Sequence, residues 1–224
     1  MPVLAGGTAQ CDSRVKSGIN IEGKPMSTLT ARPVLADLFG SNEGSALRVK
    51  QVVLVLAGIA VLAIAAKIRI PMWPVPMTMG TFAVLTIGAA YGPRLGLTTI
   101  LAYLAVGALG FNVFAGSSAT ENGLVYMMGG TGGYLVGYAL AAVALGAFAR
   151  AGWDRSFGKM AAALFAGNAI IYLPGLLWLG VLYGWDKPIL AWGLTPFIAG
   201  DVLKLALAAL LVPAVWKLVG DARR

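Results

Sequence analysis

The sequence predicts an all-α integral membrane bundle of six transmembrane helices, with both termini in the cytoplasm. Three observations carry that expectation. Of 224 residues, 58% are hydrophobic and only 12% charged, and the mean hydropathy is +0.81. An ordinary soluble domain carries about 25% charged residues, so half of the polar surface needed to face water is missing. The apolar residues fall into six stretches, at 49–66, 77–91, 95–111, 131–149, 159–183 and 196–219. Each is near the roughly 17–25 residues that a helix needs to cross about 30 Å of hydrocarbon. Finally, thirteen of the seventeen Lys and Arg residues fall in the N-terminal tail, 92–95, 150–159 and the C-terminus. The alternate loops hold three, Lys67, Arg69 and Lys187, and Lys204 lies within a span. Cations collect on the cytoplasmic side of membrane proteins.

The elements follow in order. Residues 1–47 are polar and rich in Gly and Ser, and read as a flexible cytoplasmic tail. No basic segment leads into an apolar core there, so the tail is not a signal peptide, and Met26 is a candidate start beside Met1. Residues 48–219 form the membrane domain and 220–224 a short second tail. Alternating polar and apolar ten-residue segments are absent, which excludes a β-barrel reading. The loop at 67–76, KIRIPMWPVP, has three prolines that forbid regular helix. The segment 110–133 is long, glycine-rich and only moderately polar, as a lid or a solvated connector would be. Thr195 followed by Pro196 makes an N-cap and first-turn pair for the last span. Trp73, Tyr126, Trp178, Tyr183, Trp185 and Trp192 fall near outer ends and read as an interfacial belt.

Composition also excludes chemistry. The sequence has no histidine, so His-ligated metals and His acid–base catalysis are ruled out. Its single cysteine, Cys11, can form neither an intrachain disulfide nor a thiolate cluster. No Gly-Lys-Ser/Thr follows a glycine-rich loop, so the sequence holds no P-loop nucleotide site. The net charge of +8 reads as orientation in a membrane, and no nucleic-acid partner is expected.

One pair stands against the charge scarcity. Asp201 and Lys204 lie roughly 8 and 12 Å into the last span at 1.5 Å per residue, on one helix face. Ionisable residues inside a membrane are costly and mark functional sites by default. A helix cap with a snorkelling lysine, or a structural ion pair, is the plainer alternative. A carboxylate beside an ammonium offers an acceptor and a donor together, which suits an amide, urea or lactam. Elsewhere, the run Gly129-Gly130-Thr131-Gly132-Gly133-Tyr134 opens the fourth span and permits close approach of a ligand or a neighbouring helix. Gly133 with Gly137, Ala162 with Ala166 and Ala163 with Gly167 are spaced for helix packing. Asn168 and Tyr172 share one face of the fifth span and either bond across helices or line a pocket.

The segments PVPMTMGTFAVLTIGAAYGPRLG, GALGFNVFAG, MMGGTGGYLVGY and PFIAGDVLK, in this order, resemble the BioY family of biotin transporters, the substrate-capturing S-components of energy-coupling factor transporters. The resemblance spans about residues 50–212. It implies six helices, a multi-pass protein of the cell membrane, and biotin capture from the outer face, with biotin as transported ligand and no cofactor. It also implies a membrane coupling protein and ATPase subunits as partners; self-association is left open. The family's binding acid and base fall on Asp201 and Lys204, and Asn122 is the nearest candidate for an amide that the family supplies before its Gly-Gly-Tyr motif. Thr131, Tyr134 and Asn168 complete the expected binding set. Some relatives carry Arg immediately after Gly-Gly-Tyr, where this sequence has Leu135, so Lys204, the backbone of the 129–133 turn or Tyr134 is left to meet the ligand's carboxylate. An S-component for another vitamin, a solitary secondary transporter and an intramembrane enzyme with Asp201 as base are the rival readings.

Overall fold

The computed structural model describes residues 32–38, 44–116 and 122–221. Cys11, Met26 and the rest of the tail up to residue 31 lie outside the described residues. Residues Leu35–Leu38 form a 3-10 turn ahead of α1, Gly44–Lys67. A two-residue antiparallel pair follows, β1 (Arg69–Ile70) and β2 (Met77–Thr78), with Arg69 opposite Thr78. Then come α2 (Gly80–Ala108), α3 (Gly123–Met128), α4 (Gly132–Arg150), α5 (Phe157–Tyr183), α6 (Ile189–Gly193) and α7 (Ile198–Asp221). The architecture is an all-α membrane bundle. Among the described residues, four stretches are long and apolar enough to cross a bilayer by themselves: α1, α4, α5 and Ile189–Val219.

Within α2 the helix breaks at Gly92, whose φ of +78° and ψ of 176° are open only to glycine, and Pro93 prevents the helix from continuing through. The two halves, 80–91 and 93–108, fold back on each other. Gly88 and Gly96, equally spaced about the break, meet so closely that a Cβ on Gly96 would stand 3.4 Å from the Gly88 Cα. Both ends of α2 therefore return to the end of the bundle where α1 finishes. There Met79 N–H donates to Ile68 O at 3.1 Å and Lys67 Nζ donates to Asn112 Oδ1 at 2.6 Å and Phe114 O at 2.8 Å.

α4 lies at the centre, between α2 and α5. Its small residues permit that position. A Cβ on Gly133 would lie 2.3 Å from Pro174 O and one on Gly137 2.7 Å from Ile171 Cα, both on α5. The predicted small-residue pair thus lets two backbones touch where lipid supplies no hydrophobic drive of its own. Gly137→Val is expected to separate α4 from α5 and lower stability by about 1–3 kcal/mol, the usual range for overpacking. A thermal melt in detergent measures this, and an unchanged Tm would refute it.

At the opposite end the structure departs from the expected tail. Residues 32–38 are docked: Val34 is fully buried and Leu35 and Ala36 join the core. Arg150, at the end of α4, binds the Asp37 carboxylate at 2.6 Å and donates to Arg32 O at 3.2 Å. Burial of three apolar side chains offsets the ordering cost, which polarity averaged over 1–47 concealed. Nearby, Trp216 of α7 donates to Asp154 Oδ2 at 2.6 Å, and Arg155 lies over the Trp216 ring at 4.4 Å. Asp154 is fully buried between α4 and α5, and burial pushes its carboxyl above the ordinary carboxylate range.

The start of the last span also differs. Thr195–Phe197 is a 3-10 turn, and the Thr195 hydroxyl donates back to Leu190 O at 3.2 Å rather than capping a helix. α7 proper begins at Ile198, which leaves Asp201 in its first turn, where the helix dipole favours a carboxylate.

Candidate functional site

α7 turns one stripe inward, and Asp201, Lys204, Ala208, Ala209 and Val212 are all buried along it. Asp201 is 5% exposed and Lys204 9%. Their side chains form an ion pair at 2.9 Å between Lys204 Nζ and Asp201 Oδ1. The other carboxylate oxygen accepts a short hydrogen bond from the Tyr172 hydroxyl of α5. Lys204 also donates to Thr81 Oγ1 at 3.3 Å, in the first turn of α2. Three helices thus converge on one charge pair, each contributing a polar atom.

Lys204 and Tyr172 stand in the wall of a cavity with about 650 Å³ of empty space, while Asp201 lies behind them. The remaining wall is largely aromatic. Tyr134 and Tyr172 meet edge to face at 6.0 Å, and Tyr172 leans on Phe197 at 6.3 Å. Across the cavity Phe114 stacks on Tyr126 at 5.0 Å and receives the edge of Tyr103 at 5.4 Å. Tyr134 is held by donating to Gly193 O at 2.8 Å and Tyr103 by donating to Val113 O at 3.1 Å. Flat apolar walls around a single charged pair suit a compact ligand with an apolar body and one polar head.

The cavity adjoins a wider vestibule at the end of the bundle where α1 finishes, bounded by the proline-rich loop, Arg69, Gly129, Gly130 and Tyr183. The two spaces share Pro76, Tyr126 and Thr131.

The structure brings Lys204, Thr131 and Tyr134 onto one cavity, with Asp201 directly behind. Asn168 is on a smaller adjoining space of about 180 Å³ that also touches Lys204 and Thr81. Its amide oxygen is buried and has no hydrogen-bond partner among the described residues. Asn122 is not brought to the cavity wall. It flanks the N-terminus of α3 without a side-chain cap bond, where Gly123, at φ +58°, stands against Ala108 O at the end of α2.

Thr81, Tyr103, Phe114 and Tyr138 are wall residues that sequence reasoning passed over. Tyr134 and Tyr138, four apart on α4, were a readable face; Thr81 carried no signal, because only the packing of α2 against α7 brings it to Lys204. Two belt residues also belong elsewhere. Tyr126 lines the cavity, and Trp178 donates to Gly129 O at 2.9 Å, fixing the glycine turn. Trp73, Tyr183 and Trp192 form an edge-to-face cluster with centroids 5.1–6.1 Å apart beside the vestibule.

Known proteins resemble this chain in sequence and in fold. Residues 39–221 match the model of the BioY family. The chain is 35% identical over 165 residues to a probable biotin transporter BioY of Pyrococcus horikoshii, covering 74% of this chain and 95% of that protein. It is 34% identical to the biotin transporter BioY of Thermotoga maritima, over 74% and 96% of the two chains. Among solved structures it resembles the S-component for biotin from an ECF-type ABC transporter, with a TM-score of 0.66 and 24% identity, covering 78% of this chain and 95% of that one. The last likeness concerns the fold.

Proposed function

This chain belongs to the BioY family, and from that premise we propose that it is the membrane subunit that captures biotin for uptake. The observation that carries the reading is the buried Asp201–Lys204 pair set against an aromatic cavity that opens to one end of the bundle. Biotin's ureido ring presents a carbonyl and two N–H groups. Lys204 donates to the carbonyl from the cavity wall, and Asp201, set behind Lys204 and Tyr172, accepts from N–H as the ligand seats against the pair. Tyr172 and Thr81 hold the two charges in register. Thr131 and Tyr134 border the apolar body of the ligand, and Asn168, whose amide oxygen is unpartnered among the described residues, lines the adjoining space beside Lys204.

The same proposal assigns six crossings. A straight 29-residue helix would run about 43 Å, well beyond the hydrocarbon, whereas two halves of α2 reversing at Gly92 make two short crossings. Arg48, Lys50, Arg94, Arg150, Arg155, Lys159 and Lys217 then face the cytoplasm, with both termini, and the vestibule faces outside. With no P-loop in the sequence, energy comes from partners: a membrane coupling protein and ATPase subunits of the energy-coupling factor type.

Direct binding is the test. Purified chain in detergent is expected to bind labelled biotin, with unlabelled biotin competing and other vitamins not. Competition by another vitamin alone would reassign the ligand. In cells, uptake that collapses on ATP depletion supports the partner assignment; collapse with an uncoupler alone would point to a solitary proton-coupled carrier.

A further inference from the structure

We infer that Arg69 is the receptor for the ligand's carboxylate, at the rim of the cavity. This rests on the biotin reading and extends it to the acid end of the ligand. Three cations lie at the outer end of the bundle, and two are committed. Lys67 holds Asn112 and Phe114 O, and Lys187 is paired with Asp186 at 2.8 Å. Arg69 makes no ion pair among the described residues, and it borders the vestibule that continues into the cavity.

Its place in the fold suits the task. In the β1–β2 register Arg69 stands directly opposite Thr78, and Thr78 is part of the cavity wall. The guanidinium is therefore carried on the strand next to the one that lines the site. The glycine turn at 129–131, which opens α4, borders the same vestibule, so the positive end of a 19-residue helix adds to the field there. No acidic side chain borders the vestibule among the described residues. Guanidinium matches a carboxylate with two parallel N–H donors, and does so better than an ammonium.

A ligand held at its ureido head by Lys204 and Asp201 extends past Pro76, Tyr126 and Thr131, the residues common to both spaces, and delivers its acid to Arg69. Leu135, which lines the cavity on α4, is apolar and buried and offers that end of the ligand no polar atom.

The experiment compares biotin with its neutral primary amide on wild-type chain, Arg69→Gln and Arg69→Lys in detergent. Wild type is expected to prefer biotin by about tenfold, the low end for a hydrogen bond to a charged group. Arg69→Gln is expected to lose that preference by weakening biotin while leaving the amide's affinity unchanged, and Arg69→Lys to restore part of it. An Arg69→Gln chain that keeps the wild-type preference overturns the inference and leaves the biotin reading intact. A wild-type chain that binds neither compound overturns both. Arg69 is exposed, so the variants test recognition without disturbing the core.

Discussion

Asp201→Ala is expected to abolish biotin binding, lowering affinity by at least about 100-fold. The site joins a carboxylate and an ammonium that are largely shielded from solvent, and a ligand that enters must find a partner for each polar edge. A hydrogen bond to a charged group contributes about 1.5–3 kcal/mol, and an N–H left buried without an acceptor costs a similar amount again. Removing the carboxylate also frees Tyr172 and leaves Lys204 with Thr81 as its remaining recorded partner. Asp201→Asn keeps the shape and one acceptor and is expected to fall between. Calorimetry or radioligand binding on chain that remains monodisperse in detergent decides the matter. Wild-type affinity in Asp201→Ala would remove Asp201 from the site.

Lys204→Ala is expected to produce the second large effect, on stability as well as on binding. The Asp201 carboxylate would be left buried beside apolar and aromatic side chains with Tyr172 alone to stabilise it. Breaking one partner out of a buried ion pair costs about 3–5 kcal/mol, whereas removing both can be nearly neutral. The double variant Asp201→Ala/Lys204→Ala is therefore expected to melt higher than Lys204→Ala while binding no biotin. Lys204→Gln, which keeps a donor, is expected to lose less affinity than Lys204→Ala. Additive effects on Tm in the double variant would show that the two side chains do not act as a pair.

Much of this arrangement was legible in the residue string. The apolar stretches at 77–91 and 95–111 place a reversal between them, and the break in α2 falls at Gly92 and Pro93. Glycine and proline act through the local backbone, which is why a sequence reveals them. Asp201 and Lys204 were legible for a related reason: a charge in a membrane span is improbable enough to be noticed without knowing its surroundings. The Gly133–Gly137 pair likewise announced a close helix contact, though not that α5 was the helix met.

What lay beyond the sequence depended on which elements face each other. Val34, Leu35 and Ala36 were averaged into a polar tail, and only their docking beneath Arg150 distinguishes them. Tyr126 had the credentials of a belt residue, yet stacks on Phe114 in the cavity wall. Asn122 was a reasonable amide by order along the chain, and the packing of α3 on the end of α2 keeps it off the cavity wall.

By itself the sequence determined the membrane as solvent, the apolar stretches and the one charged pair among them, because hydropathy, helix length and the rarity of buried charge are properties of single residues and their near neighbours. Only the tertiary structure decided that Thr81 and Tyr172 hold that pair, that aromatic rings from α2 through α5 and from the turn before α7 close around it, and that Arg69 stands at the mouth. Those are contacts between residues tens of positions apart, and no local pattern encodes them until the helices have packed.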